Sequence, residues 1–177
     1  CIATVNPARW ELGHVGWFQE YWCRRHEAGG PARIPSESGA PSRIVNADAL
    51  WDSARVPHDA RWSLPLPDWR AIDRYLDDTL ADTQDALAAS RDGERYFFEL
   101  ALYHEDMHGE ALLMTLQTLA LPPPPGLREP PGVPASRSAG GDLAFPGGNL
   151  AAGSRESDAR DRFVFDNEMR AHDVRVA

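Results

Sequence analysis

The sequence predicts a mainly α-helical fold that is followed by the start of a smaller α+β segment. Three long stretches carry apolar residues at helical spacing, which is the pattern of amphipathic helices. A stretch rich in proline, glycine and serine then interrupts the chain, and short strand-like runs follow it. We therefore expect a helical bundle over residues 1–121, a linker over 122–141, and a second domain that begins within 142–177.

The first predicted helix begins near Asn6 and Pro7 and runs to about His26. Asn6 is a suitable N-cap, and proline is favoured at the first helical position. Gly29-Gly30-Pro31 ends the helical pattern. One face of the helix is aromatic and consists of Trp10, His14, Trp17, Phe18, Tyr21 and Trp22. A face this apolar requires a partner helix, and its rings form either ordinary core or the wall of a pocket for a quaternary ammonium group.

An ordered loop is predicted for residues 29–67, with one short helix at Asp48–Ala54. Trp51 and Trp62 favour order, because disordered segments contain few aromatic residues. Ordered loops of this length are usually functional.

Two further helices complete the predicted bundle. One follows Pro67, the other spans about Glu94–Leu121, and Asp92-Gly93 separates them. Pro122–Pro125 end the last helix, because proline cannot continue it. The predicted stripe of the helix after Pro67 consists of Trp69, Ile72, Leu76, Leu80, Thr83 and Leu87. That of the last helix consists of Phe97, Leu100, Ala101, His104, Met107, His108, Ala111, Leu112, Thr115 and Leu119.

The segment after the linker is predicted to form strands at 143–145, 163–165 and 174–176, with a turn at Gly147-Gly148. The chain does not begin with Met, and its strand pattern continues almost to Ala177. We expect that both ends are cut and that the sequence is a piece of a longer protein.

Composition and charge exclude several classes of function. The 177 residues carry a net charge of −9, which argues against a nucleic-acid or anionic membrane partner. No apolar run approaches the roughly 20 residues of a membrane span. All 18 basic residues are arginine, which excludes a Schiff-base lysine and a phosphate-loop lysine. Two cysteines form no disulfide framework, and this favours the cytoplasm.

The most informative chemical pattern is His104-Glu105-Asp106-Met107-His108. Residues four apart on a helix are offset by about 40° and about 6 Å, so their two imidazoles can bind one ion. His14, on the aromatic face of the first helix, is the candidate third ligand. Three neutral imidazoles suit Zn, Fe(II), Ni or Cu and leave positions open for substrate or dioxygen. The alternative is ordinary core histidines, but an unpartnered buried imidazole costs about 1–3 kcal/mol.

The His-Glu-x-x-His pattern is also that of zinc hydrolases, in which Glu105 would be the general base. One such family requires Gly and His three and six residues after His108, where this chain has Ala111 and Met114. A zinc hydrolase is therefore only an alternative. Otherwise Glu105 and Glu110 either accept a ligand's second nitrogen proton or are solvated surface charges.

Motifs in both predicted domains are similar to those of one family. The stretches Trp10–Glu20 and His104–Glu110 resemble the DinB-like domain of the non-haem iron sulfoxide synthases. These are the ergothioneine-synthase type enzymes and their relatives, including selenoneine synthase. Phe145–Gly148, Gly153-Ser154 and Phe163–Glu168 resemble the opening of the formylglycine-generating-enzyme-like domain that completes those enzymes.

The resemblance implies an Fe(II) ion held by His14, His104 and His108, with dioxygen and a thiol or selenol at the open positions. The implied reaction forms a C–S or C–Se bond on the imidazole of a histidine betaine (hercynine), in ergothioneine- or selenoneine-type biosynthesis. The amino-acid sequence of the first motif, Trp10–Glu20, most resembles that of the selenoneine synthases. The implied partners are small molecules, and the full-length protein is expected to be a monomer.

The loop before the second long helix carries a further resemblance. Arg61 resembles an arginine that binds the carboxylates of the thiol substrate in the ergothioneine type. The second arginine of that type lies three residues earlier, where this chain has His58, which indicates a less anionic substrate. Trp17, Phe18 and Met107 are the remaining candidates for substrate contact.

The family's bundle has one helix before the first helix of this chain, and its catalytic tyrosine lies in the C-terminal domain. We therefore expect a DinB-like four-helix bundle that lacks its first helix, an exposed apolar patch in its place, and a catalytic group beyond Ala177. The fragment alone is expected to be inactive. The alternatives are a DinB-like thiol transferase that uses a divalent metal, and a non-enzymatic bundle with a structural metal.

Overall fold

The computed structural model describes residues 5–26, 41–91, 94–127, 142 and 144–176, and it is mainly helical. The chain divides into two compact units, Cys1–Leu121 and Pro122–Ala177. Three predicted features lie outside the described residues: the Gly29-Gly30-Pro31 helix end, the Asp92-Gly93 break and most of the linker. No described helix is both long enough and apolar enough to span a membrane.

Helix α1 spans Ala8–Glu20 and continues as a wider π-helical turn over Tyr21–Arg25, so the helical path ends at His26 as predicted. The predicted cap is wrong, because Pro7 occupies the N-cap position. The side chain of Asn6 instead donates a hydrogen bond to Glu11.

The loop after α1 contains a short helix α2, Ala47–Trp51, and a single 3-10 turn, Ala60–Trp62. The helix α2 ends three residues before the predicted end at Ala54. Trp51 is fully buried and packs against α1 at Gly13, where an added Cβ atom would lie 2.2 Å from the indole ring. Glycine at this position therefore permits the close approach of α2 to α1.

Helix α3 spans Trp69–Ala89, and the Asp68 side chain caps it by accepting a hydrogen bond from the backbone N–H of Ala71. The buried face consists of Ile72, Tyr75, Thr79 and Thr83. The predicted stripe is thus wrong in part, since Trp69, Leu80 and Leu87 are exposed. The Tyr75 side chain faces α1, and its hydroxyl donates a hydrogen bond to the buried carboxylate of Glu20.

Helix α4 spans Tyr96–Thr118 and is shorter than predicted at both ends. Only Ala101 and His104 of this helix are buried. Most of its predicted apolar stripe faces inward, since eight of the ten residues are buried or half-buried, whereas Met107 and Leu119 are exposed. The large exposed apolar side chains of α4 are Leu102, Tyr103, Met107, Leu113 and Met114.

The core of this unit joins α1, α2 and α3 and is rich in aromatic rings. It consists of Trp10, Trp17, Ala47, Trp51, Ile72 and Tyr75. Burying an aromatic ring of this size removes about 150–250 Å² from water, so the three tryptophans dominate the packing energy here. These packing contacts fix the position of α1 relative to α2 and α3.

The second unit contains a two-stranded antiparallel sheet. Strand β1, Gly148–Ala152, pairs with strand β2, His172–Val176, and Leu150 lies opposite Val174. A short helix α5, Asp158–Asp161, and a 3-10 turn, Asp166–Glu168, lie between the strands.

The strand predictions for this unit are correct in part. The predicted strand at 174–176 is confirmed, but 163–165 does not pair as a strand. Gly148 begins β1 rather than forming a turn. Phe163 and Phe165 contact one another edge to face instead.

Candidate metal centre

The structure brings together His14 of α1 with His104 and His108 of α4, which we call the three-histidine cluster. One ring nitrogen from each lies within 4.8 Å of the other two. His14 and His104 are buried and His108 is half-buried, so the cluster is largely shielded from solvent. The helix pair therefore places three imidazoles around one common point.

The ring of His14 is fixed by α2 and by its own helix. Its Nδ1–H donates to the backbone carbonyl oxygen of Trp51 at 2.8 Å, which leaves Nε2 as the free acceptor. The ring stacks on Trp10 with a centroid distance of 4.9 Å and on Trp17 at 5.8 Å. Burial lowers the pKa of His14 to about 4, so the ring is neutral at physiological pH.

His104 and His108 present their Nε2 atoms to one another at 3.0 Å. The His104 ring is parallel to Phe18, with a centroid distance of 3.6 Å and an interplanar angle of 6°. Burial lowers the pKa of His104 to about 2, and the neighbouring imidazoles act in the same direction. A neutral imidazole of this kind is the form that binds metal ions.

The partner of His108 is a carboxylate on α1. Glu11 Oε1 lies 2.6 Å from His108 Nδ1, and Glu11 Oε2 accepts a hydrogen bond from Asn6 Nδ2 at 2.7 Å. Glu11 is buried, and burial alone would raise its pKa. Hydrogen bonds from His108 and Asn6 outweigh that effect, so the net pKa lies below its ordinary value and the group is ionised.

The residues of the cluster fit a divalent metal ion. Two nitrogen atoms that each bind one ion at about 2.1 Å lie no more than about 4.2 Å apart. The Nε2 atoms of His104 and His108 are 3.0 Å apart, within that limit. The Nδ1 atoms of His14 and His108 are each bound to a protein oxygen, as metal-ligating imidazoles usually are. Three neutral imidazoles suit Fe(II) as well as Zn.

Arg61, a predicted substrate-binding residue, lies next to the cluster. Its guanidinium group covers the face of Trp10, with the Cζ atom 3.8 Å from the ring centroid. One guanidinium nitrogen donates to Asn6 Oδ1 at 3.0 Å, and two others approach the backbone carbonyl of Val56. His58, the other residue predicted in this loop, is half-buried.

The remaining residues predicted to contact substrate differ in how far they are buried. Trp17 is buried core, and its Nε1–H donates to Asp48 at 2.7 Å. Phe18 is half-buried against His104, and Met107 is about half exposed. Trp10 is also buried core, so it does not wall an open pocket for a quaternary ammonium group. Contact of Trp17, Phe18 and Met107 with a substrate stays a prediction.

Glu105 and Glu110 are exposed on α4, and the carboxylate that contacts the cluster is Glu11. Sequence reasoning missed Glu11 because an acidic residue in the first turn of a helix is favoured by the helix dipole alone. The available indication was its position three residues before His14, next to an aromatic face that otherwise excludes charge. The exposure of Glu105 also disfavours the hydrolase alternative, which needs that carboxylate at the metal.

The helices and the cluster define a class: a helical protein with a three-histidine candidate metal centre between two helices. No protein-family model matches the chain. It is similar to the protein named hercynine oxygenase from Mycolicibacterium smegmatis, with 31% identity over 97% of this chain and 38% of the relative. Hercynine oxygenase from Mycolicibacterium thermoresistibile is 30% identical over 97% of this chain and 36% of the relative.

A third relative is hercynine oxygenase from Mycobacterium tuberculosis, with 30% identity over 63% of this chain and 25% of the relative. The chain thus spans between a quarter and two fifths of the length of the curated relatives that it matches. The chain is thus similar in sequence to proteins named hercynine oxygenase.

Proposed function

We propose that this chain is the metal-binding part of an enzyme of the hercynine-oxygenase type, and that it belongs to the non-haem iron sulfoxide synthase family. The observation that carries the proposal is the convergence of three imidazole side chains from α1 and α4, with one ring nitrogen of each within 4.8 Å of the others. The named relatives support it, because their similarity extends over 97% of the chain in two cases.

His14, His104 and His108 would hold an Fe(II) ion through the ring nitrogens that are not bound to protein oxygens. The bound iron would supply the dioxygen chemistry that joins sulfur or selenium to the imidazole of hercynine. Three protein ligands leave further positions open for dioxygen and for a thiol or selenol.

The chain's own residues would orient the ligands and exclude water. The carbonyl of Trp51 fixes the tautomer of His14, and Trp10 and Phe18 cover the rings from the α1 side. Arg61 would bind a carboxylate of the thiol or selenol substrate, because its guanidinium is held beside the cluster on the face of Trp10.

The same loop bears on the charge of the sulfur or selenium donor. With His58 in place of a second arginine, we propose a donor with fewer negative charges than γ-glutamylcysteine.

We place the protein in the cytoplasm as a monomer that acts on small molecules. The catalytic proton donor is proposed to lie outside the three-histidine cluster.

The test is anaerobic reconstitution of the full chain with Fe(II), followed by metal analysis and dioxygen-consumption measurements with hercynine. Cysteine, γ-glutamylcysteine and a selenol donor are compared as second substrates. The proposal expects about one iron per chain, with dioxygen uptake in the full-length protein that requires both substrates. Stoichiometric zinc that iron cannot replace, with thiol transfer in the absence of dioxygen, would contradict it and favour the thiol transferase.

A further inference from the structure

We propose that Glu11, held in place by Asn6, is a positioning residue that fixes the His108 imidazole for metal binding. The proposal rests on the metal site of the proposed function and concerns a residue outside the ligand set. Its basis is a continuous chain of hydrogen bonds from Arg61 through Asn6 and Glu11 to His108.

The two oxygens of Glu11 have separate partners. Oε1 lies 2.6 Å from His108 Nδ1, while Oε2 is held by the Asn6 amide at 2.7 Å. Asn6 is itself fixed, because its Oδ1 accepts from Arg61 at 3.0 Å and its amide nitrogen must then face Glu11. The carboxylate therefore has one orientation, with Oε1 directed at the imidazole.

An ionised carboxylate only accepts hydrogen bonds, so Nδ1 of His108 must carry its proton in this contact. Nε2 is the other ring nitrogen, it is directed at His104, and it is the atom through which His108 would bind a metal ion. The negative charge of Glu11 also makes the His108 ring a stronger electron donor to a cation. Partners of this kind typically change metal affinity ten- to a hundredfold.

His14 and His108 are supported differently. The Trp51 carbonyl that orients His14 is neutral and belongs to the backbone, so no side-chain substitution removes it. The partner of His108 is a charged side chain from a different helix. Glu11 therefore ties the α4 ligand to α1, and its removal frees His108 without removing any ligand.

The chain offers a matched control in Glu20, a second buried carboxylate on α1. Glu20 accepts hydrogen bonds from Tyr75, Ser42 and the Arg43 backbone N–H, and it takes no part in the three-histidine cluster. Glu11→Gln and Glu20→Gln remove the same charge from the same helix. Only the first change alters the partner of a candidate metal ligand.

The experiment titrates the full chain with Co(II) under anaerobic conditions and follows visible absorption, with thermal unfolding of the metal-free proteins in parallel. We expect Glu11→Gln to weaken Co(II) binding about ten- to a hundredfold and to change the Co(II) absorption bands. Glu20→Gln should lower the unfolding temperature while its Co(II) affinity stays within about threefold of wild type. Asn6→Ala, which keeps Glu11 but releases one oxygen, should give an intermediate loss.

Unchanged Co(II) affinity and spectrum in Glu11→Gln would overturn the inference. If Glu11→Gln does not fold, wild-type affinity in Asn6→Ala would overturn it instead. Equal affinity losses in Glu11→Gln and Glu20→Gln would also overturn it, because they would show an effect of stability alone. Failure of the wild-type chain to bind Co(II), or retained binding in His104→Ala, would contradict the metal site itself and so the proposed function.

Discussion

Helices α1 and α4 both contribute to the three-histidine cluster, but they are packed very differently. On α1, Trp10, His14 and Trp17 are buried against α2 and α3. On α4, His104 is buried while its neighbours Tyr103 and Met107 are exposed. One helix is thus part of a packed core, whereas the other lies against it along a single line.

The difference teaches which element organises the cluster. His14 belongs to α1, and the partners of the two α4 histidines also belong to α1: Glu11 for His108 and Phe18 for His104. Helix α4 supplies two ligands at the i, i+4 spacing, and α1 supplies the contacts that orient them. Changes on α1 should therefore affect both fold and site, and changes on the outer face of α4 should affect neither.

The largest expected effect is the loss of a ligand. His104→Ala should abolish stoichiometric metal binding, with affinity reduced more than about a hundredfold, because two imidazoles remain and one loses its neighbour. His58→Ala should leave binding unchanged, since His58 is not in the cluster. Metal content after gel filtration measures both variants, and stoichiometric iron in His104→Ala would exclude the cluster as the site.

The second comparison uses one glycine on each helix. Gly13→Ala places a Cβ atom 2.2 Å from the buried Trp51 ring, and such overpacking should lower the unfolding free energy by about 3 kcal/mol. Gly109→Ala on α4 meets nothing within 4 Å and should raise it by about 0.5–1 kcal/mol through helix propensity. Urea unfolding of the metal-free chain tests both. Similar effects from the two substitutions would contradict the unequal packing.

The same contrast explains what the sequence could predict. The position of α1 and the i, i+4 pair His104 and His108 follow from periodicity, which depends only on the chain itself. The partner of His108 could not be deduced, because Glu11 also satisfies the ordinary preference of a helix start for acidic residues. An acidic residue at this position fits both a helix start and a partner for a metal ligand, so the sequence alone does not distinguish the two roles.

Predictions failed where tertiary contacts decide the outcome. On α3, Tyr75 and Thr79 are buried in preference to Leu80, because Tyr75 reaches the Glu20 carboxylate of α1. On α4, most of the predicted stripe is buried or half-buried, but Met107 within it is exposed. The spacing of hydrophobic residues predicts which face of a helix can be buried. The elements that pack against the helix decide how much of that face is buried.

A third test concerns how α2 is held against α1. The Asp48 carboxylate accepts two hydrogen bonds from Arg25 and one from Trp17 Nε1. Asp48→Asn should lower the unfolding free energy by about 1 kcal/mol, a modest value because Asp48 is partly exposed. Asp73→Asn, on the exposed face of α3, is the control and should change it by less than about 0.5 kcal/mol.

The pH dependence gives this test its sign. The hydrogen bond from Arg25, with that from Trp17, holds the pKa of Asp48 below its ordinary value of 3.8. The stabilisation is therefore complete above that value and is lost as the pH falls through the lower pKa of the folded state. The difference between wild type and Asp48→Asn should stay constant from pH 7 to about pH 5 and shrink below pH 3.8. A difference that grows on acidification would show that Arg25 does not stabilise the carboxylate.

The smallest effect is expected on the outer face of α4, at Met114. Its side chain is 67% exposed, so Met114→Glu should change the unfolding free energy by less than about 0.5 kcal/mol. Glutamate is also as good a helix former as methionine, which removes propensity as a source of change. Urea unfolding, with sedimentation at two protein concentrations, measures the result.

A loss of unfolding free energy above about 1.5 kcal/mol would mean that this apolar face is covered in solution, because a solvated methionine has no packing to lose. Concentration-dependent sedimentation would then identify a second copy as the cover, and its absence would identify another part of the same chain. Either result would remove the contrast between a packed α1 and an open α4, and α4 would have to be counted as a second organiser of the three-histidine cluster.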